Sequence, residues 1–135
     1  MYLVDTDVLS ATRKFSQQHP VAVWMFAQEA ALFIRSISIM EIERGIEKQR
    51  RVDSAFARDL ENWLQDTLVT FDGRILMVTI EIAQRWGRMQ FQLGRMDYDL
   101  AIAATAIEHN LTVVTRNVRH FDTTGAAMLN PFETA

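Results

Sequence analysis

Short apolar runs, each ended by a charged or turn-forming residue, alternate along this chain with longer segments whose apolar residues recur at helical spacing. Residues 2–5 read as a buried strand. A short helix follows over 8–13 with Asp7 as its N-cap. His19-Pro20 starts a second helix, because proline is favoured at the first helical position. A second strand spans 32–36. Ser38-Ile39-Met40-Glu41 has the form of a capping box, opening a helix that runs to Arg50. Val52, Phe56, Leu60, Trp63, Leu64 and Leu68 mark one face of the next helix. After the Asp72-Gly73 turn, residues 74–78 form a third strand candidate, and Thr79 caps a helix that Gly94 ends. Residues 97–109 are apolar nearly all round, which predicts a buried helix closed at Asn110. Residues 111–115 are strand-like, and 127–129 form a last edge strand. The alternation predicts one α/β domain over residues 1–135, with a mostly parallel central sheet flanked by helices.

Composition narrows the chemistry. The chain has 135 residues, 49% of them hydrophobic, enough for a real core. No apolar stretch approaches the roughly 20 residues needed to span a bilayer. The N-terminus lacks a basic segment followed by a long apolar one, so the expectation is a cytoplasmic protein without a secretory signal. The absence of cysteine excludes disulfides, thiolate metal sites and a cysteine nucleophile. A net charge of −3 counts mildly against nucleic-acid binding. Two basic clusters offset it: Arg44, Lys48, Arg50 and Arg51, then Arg116, Arg119 and His120. Either also reads as an ordinary solvated surface.

Three acids stand where apolar segments meet turns or helix starts: Asp5, Glu41 and Asp99. In an alternating α/β chain the carboxyl ends of parallel strands converge on one crevice. Carboxylates meeting there suggest a hard divalent cation and phosphodiester chemistry. Each residue has a structural alternative. Asp5 suits an Asx turn, Glu41 suits the capping box with Ser38, and either Asp97 or Asp99 suits the cap of the buried helix. Thr6, Ser38 and Thr115 are hydroxyls near the same strand ends. Asn117 would hold a loop or ligate through water. The five glycines are scattered, His19, His109 and His120 lack metal-ligand spacing, and no serine sits in a nucleophile elbow. Elimination leaves an all-oxygen site of the kind that prefers Mg²⁺ or Mn²⁺.

The chain resembles PIN-domain ribonucleases, in particular the VapC-type toxins of bacterial toxin–antitoxin pairs. Three segments carry the resemblance, in the family's order and over essentially the full length. The first is Tyr2-Leu3-Val4-Asp5-Thr6-Asp7-Val8-Leu9-Ser10. The second is Ser36-Ile37-Ser38-Ile39-Met40-Glu41-Ile42-Glu43-Arg44-Gly45-Ile46. The third runs from Asp99-Leu100-Ala101-Ile102-Ala103-Ala104-Thr105-Ala106 to Leu111-Thr112-Val113-Val114-Thr115-Arg116-Asn117. The resemblance selects Asp99 over Asp97 and Glu41 over Glu43. It implies that Asp5, Glu41 and Asp99 are catalytic metal ligands, with Asn117 at the position of a further acid or amide. Asp7 stands where the family often has asparagine, Ser38 where it has threonine, and no proline precedes Asp97. His120 replaces a frequent aspartate, which puts a fourth carboxylate in question.

What the resemblance implies is an Mg²⁺- or Mn²⁺-dependent endoribonuclease toxin that cuts cellular RNA, such as tRNA or rRNA, and is neutralised by a small antitoxin. It also implies a homodimer. Trp24, Phe26, Phe56, Trp63, Trp86 and Phe91 add weak support for assembly, being more large apolar residues than one core needs. Arg44, Lys48, Arg116 and Arg119 are the candidate RNA contacts, and Thr6, Ser38, Thr115 and Asn117 the candidate supports of the metal ligands. The alternative is a non-catalytic RNA-binding or regulatory module on the same fold, which the three retained acids disfavour. A response-regulator-like phosphoacceptor is a poorer reading, because the only lysines are Lys14 and Lys48 and neither is late in the chain.

Overall fold

A computed structural model describes residues 1–133. Along the first strand, β1 (Tyr2–Val4), successive side chains leave opposite faces of the sheet and enter different apolar layers. Val4 joins Val8, Ile34, Ile46, Leu64 and Val114. Leu3 joins Ile82, Leu100, Ile102, Val113 and Phe121. Each fully buried side chain of this kind contributes about 1.5–3 kcal/mol.

The first layer holds α1 (Thr6–Thr12), α2 (Pro20–Ala27), α3 (Ser36–Arg50) and α4 (Ser54–Thr70). The second holds α5 (Ile80–Leu93) and α6 (Asp99–His109). Between them lie β1, β2 (Leu32–Arg35), β3 (Ile75–Leu76), β4 (Thr112–Val114) and β5 (Met128–Leu129), in the order β3-β2-β1-β4-β5. Every pairing is parallel. The chain winds outward from β1 to β2 and β3, then returns to place β4 on the other side of β1. The winding therefore reverses at β1, and the carboxyl ends of β1, β2 and β4 open on the crevice where such sheets bind ligands.

Several local expectations hold for the reasons given. Pro20 is the first residue of α2, and the Thr79 hydroxyl accepts the Ile82 N–H at 3.2 Å. Gly94 (φ 65°) and Asn110 (φ 55°) take the left-handed conformation that ends α5 and α6. In α6 every residue from Leu100 to Ala106 is buried. Among the described residues no helix is long and apolar enough to cross a membrane.

Four expectations are corrected. Asp7 is not an N-cap: α1 starts at Thr6 directly after Asp5, which leaves Asp7 exposed in the first turn. The capping box does not form, because α3 begins at Ser36 with no loop after β2, and Ser38 falls inside the first turn and is fully buried. The third strand is only Ile75–Leu76. Its partner β2 ends at Arg35, opposite Leu76, so Met77 and Val78 have no strand to pair with and are exposed. Val52 lies outside α4, whose cap is Asp53, accepting the Phe56 N–H at 3.1 Å.

Candidate active site

Asp5 follows β1 without an intervening turn. Its backbone N–H donates to the Val114 carbonyl at 2.9 Å, extending the β1–β4 ladder by one bond and fixing the carboxylate at the reversal point. The Thr115 hydroxyl, just past the end of β4, donates to Asp5 Oδ2 at 3.0 Å and itself accepts the Asn117 N–H at 3.0 Å. Asp5 is only 6% exposed. Burial pushes its carboxyl above the usual aspartate value; Thr115 and Arg35 oppose this, while the charges of Asp7 and Asp99 reinforce it. Asp5 is therefore neither an Asx-turn residue nor a side-chain cap.

Glu41 sits in the second turn of α3, with its side chain 37% exposed. Its Oε1 accepts from Arg35 Nη2 at 3.2 Å and lies 2.9 Å from the Thr6 hydroxyl. That hydroxyl is also 2.7 Å from Ser38 Oγ, and with one proton it serves only one acceptor at a time. Thr6 and Ser38 thus tie the start of α1 to the start of α3 beneath Glu41.

The competition between Asp97 and Asp99 is resolved by a division of labour. Asp97 accepts the Leu100 N–H at 3.3 Å and pairs with Arg95. Asp99, freed from capping, has Oδ2 2.8 Å from His120 Nδ1. A histidine at position 120 therefore engages this carboxylate directly.

Arg35, the last residue of β2, was not among the residues the sequence pattern singled out. It is 2% exposed. Besides Glu41, its Nη1 donates to the Tyr98 carbonyl at 3.2 Å, tying the end of β2 to the start of α6. Burial lowers its pKa from the usual arginine value, and the charges of Glu41, Asp5 and Asp99 oppose that in descending order.

Asp5 and Asp99 act electrostatically on each other and on Arg35, which pairs with Glu41. Among the described residues, however, no three His, Asp or Glu side chains are grouped so as to hold one ion together. The acids form a shared crevice, not a finished ligand shell, because Arg35 and Thr6 engage Glu41 and His120 engages Asp99.

Three linked hollows lie on this side of the molecule, and of the three acids only Glu41 lines one of them. One, of about 410 Å³, runs between α1, α3 and α4 past Thr6, Asp7, Arg13 and Glu41. A second, of about 610 Å³, shares Asp7, Ser10 and Arg13 with it and adds Lys14, Arg116 and Asn117. A third, of about 320 Å³, continues from Arg116 and Asn117 to Arg119 and His120. Arg116 and Arg119 line these hollows, together with Arg13 and Lys14. Arg44 and Lys48 are exposed on α3 and line none of the three. Arg50 is engaged by Glu47 and Glu61. An apolar cavity of about 360 Å³ between α1, α2 and α4, lined by Leu9, Met25, Phe26, Trp63 and Phe71, contains none of the three acids.

The sequence and the fold are similar to those of known proteins. VapC ribonuclease Y4jK of Sinorhizobium fredii is 28% identical over 100% of both chains. The crystal structure of FitAcB from Neisseria gonorrhoeae superposes with a TM-score of 0.81 at 26% identity, covering 98% of this chain and 99% of that one. A toxin–antitoxin complex from Klebsiella pneumoniae gives a TM-score of 0.70 at 25% identity, covering 97% and 98%. The PIN-domain sequence family matches residues 2–126, a span that takes in Asp5, Glu41, Asp99 and the strands β1 to β4 that position them, and the chain belongs to that family.

Proposed function

We propose that this chain is a cytoplasmic, Mg²⁺- or Mn²⁺-dependent endoribonuclease of the toxin–antitoxin type, cutting cellular RNA such as tRNA or rRNA. One observation carries the reading: the buried Asp5 carboxylate, at the carboxyl end of β1 where the winding reverses, is within the electrostatic reach of Asp99 and of Arg35, which pairs with Glu41. The relative named a VapC ribonuclease and the neighbour described as a toxin–antitoxin complex support it.

The donor set suits a hard cation. Asp5 has one oxygen anchored by Thr115, and its burial makes an uncompensated charge costly, a cost that a cation relieves. Asp5 and Asp99 would hold the ion, with Glu41 reaching it through water or by exchange from Arg35. When bound, the ion supplies Lewis-acid polarisation of the scissile phosphate and a water of lowered pKa. The protein's own contribution is orientation. Thr115 fixes Asp5, His120 fixes Asp99, and Arg35 with Thr6 fixes Glu41. Arg13, Lys14, Arg116 and Arg119 line the hollows through which a phosphate backbone would approach the crevice. A small antitoxin and a second copy of the chain complete the assembly, and exposed Phe26 and Phe91 (80% and 90%) are consistent with covered surfaces.

The reaction is tested on purified chain with defined RNA. Cleavage is expected to stop in EDTA, return with Mn²⁺ or Mg²⁺, leave 5′-phosphate and 3′-hydroxyl ends, and fall by orders of magnitude in Asp99→Ala. Cleavage that persists in EDTA, or 2′,3′-cyclic phosphate products, would refute the metal-water mechanism. RNA binding without cleavage under any metal would favour the non-catalytic module instead.

A further inference from the structure

Arg116 and Arg13 are each held by an aromatic ring and by no acid. The Arg116 guanidinium lies 3.8 Å from the centre of the Phe132 ring, and that of Arg13 lies 5.1 Å from the centre of Phe56. Arg35, Arg50, Arg85 and Arg95 each pair with a carboxylate. Among the described residues the side chains of Arg13, Lys14 and Arg116 do not. The difference decides what stays free for a ligand. A carboxylate engages the N–H groups in the guanidinium plane, whereas a ring covers the flat face and leaves those donors open. Planar donors of that kind match the oxygens of a phosphate.

Phe132 is itself braced. Its N–H donates to Asn130 Oδ1 at 3.0 Å, closing a turn directly after β5. Its ring meets Phe15 edge to face (5.8 Å between centres) and His19 in the same manner (6.4 Å), while Phe15 and His19 stack in parallel at 3.9 Å. Arg116 therefore rests on a support built from the segment after α1, the cap of α2 and the turn after β5. Its backbone is fixed as well. Arg116 stands between Thr115, whose hydroxyl donates to Asp5, and Asn117, whose N–H donates to Thr115, both at 3.0 Å. A side chain ordered from both ends loses little further entropy when a ligand arrives. Phe132 lies outside the span matched by the PIN family, so this support is a feature of the chain's own last turn.

Arg116 and Arg13 line the same hollow, the one of about 610 Å³, whose lining holds three cations and one carboxylate, Asp7. Arg116 and Asn117 also line the hollow of about 320 Å³, so Arg116 stands where the two join. We propose that the larger hollow is a subsite for an RNA backbone phosphate flanking the scissile one, bound by Arg116 and Arg13, and that Phe132 is the residue that positions Arg116 for it. This rests on the ribonuclease reading above. The flanking place follows from the chain, because Arg116 is the residue next to Thr115, which is bonded to Asp5.

The test follows one defined RNA on the full-length chain. Binding is read by fluorescence anisotropy of the labelled RNA over a series of salt concentrations, in an Asp99→Ala background where no strand is cut. Arg116→Gln should weaken binding about tenfold and reduce the salt slope by about 0.7, the value of one phosphate contact on a single strand. Phe132→Leu should leave that slope unchanged, because the charge remains, while weakening binding about two- to fivefold, the scale of an exposed cation–π contact. Added to Arg116→Gln, it should weaken binding no further. In cleavage by the otherwise wild-type chain, Phe132→Leu should raise KM and leave kcat nearly unchanged. Arg88→Gln removes an equal charge at an exposed position on α5 that lines none of the hollows, and should change binding by less than about twofold. Losses that add in full in the double variant, or an Arg116→Gln that behaves like Arg88→Gln while the wild type cuts RNA, would overturn the inference and leave the ribonuclease reading standing. A wild type that neither binds nor cuts RNA would overturn both. Should Phe132→Leu not fold, as judged by circular dichroism, Arg116→Lys decides: it keeps the charge without the planar face, and wild-type affinity in that variant would overturn the positioning role.

Discussion

Asp5→Asn separates two effects that the crevice combines, the cost of an unmet buried charge and the gain from a bound cation. The substitution keeps shape, and an amide oxygen can still accept the Thr115 hydroxyl now given to Oδ2. It removes the buried charge and its repulsion with Asp7 and Asp99, and also the attraction to Arg35. Because burial leads and the folded pKa is raised, the ionised form is the disfavoured one in the fold. The stability tied to Asp5 is present below the ordinary aspartate value of about 3.9 and is lost as pH rises through the folded pKa. The metal-free variant should therefore melt above metal-free wild type at neutral pH, and the gap should close as the solution is acidified. Mn²⁺ reverses the order. A ligand at a hundredfold excess over its Kd stabilises by about 2.7 kcal/mol, and at roughly 3–5 °C per kcal/mol for a domain of this size the wild-type Tm should rise by on the order of 10 °C. Asp5→Asn should show only a small fraction of that rise. Differential scanning calorimetry at neutral and mildly acidic pH, with and without millimolar MnCl₂, measures both effects. A metal-free Asp5→Asn that melts below wild type at neutral pH would refute the burial argument. A full Mn²⁺ response in both Asp5→Asn and Asp99→Asn would refute the shared site.

Thr115→Val is nearly isosteric and removes the donor to Asp5 and the acceptor of the Asn117 N–H. It should destabilise the metal-free chain by about 1–3 kcal/mol in urea unfolding, as expected when buried polar groups lose their partner. Phe91→Ser replaces a ring that is 90% exposed on α5. It should leave the melting temperature of a dilute sample nearly unchanged while shifting sedimentation velocity from dimer toward monomer, and a wild-type chain already monomeric at micromolar concentration would remove the dimer from the reading.

The parallel architecture was legible because strands and helices here have different periods and the turn chemistry agrees with them. Gly94 and Asn110 end helices where a left-handed residue is needed, and Thr79 and Pro20 begin them. Boundaries were less legible where two elements abut with no turn between them. Arg35 is still extended (φ −103°, ψ 151°) and Ser36 is already helical, so nothing between β2 and α3 marks the junction. The pattern Ser-x-x-Glu then suggested a cap three residues too late. Ser38 and Glu41 were instead drawn to Thr6, a contact across 32 and 35 residues of chain that no local pattern encodes.

The same limit explains why Asp5, Glu41 and Asp99 were visible and Arg35 was not. Arg35 lies within the strand pattern of residues 32–36, where no local signal marks a buried cation. The physical rule that marked Asp5 applies to it without change. A charged residue directly after a buried parallel strand has its Cα fixed by the sheet, and a side chain there reaches the crevice whatever its sign. Arg35, the last residue of β2, stands level with Asp5, the first residue after β1, and Thr115, the first after β4, is the neutral member of the set. Position along the chain thus marks which residues stand at the carboxyl ends of the strands. The carboxylate most strongly coupled to Arg35 is Glu41, on the helix that follows it, with Asp5 and Asp99 next.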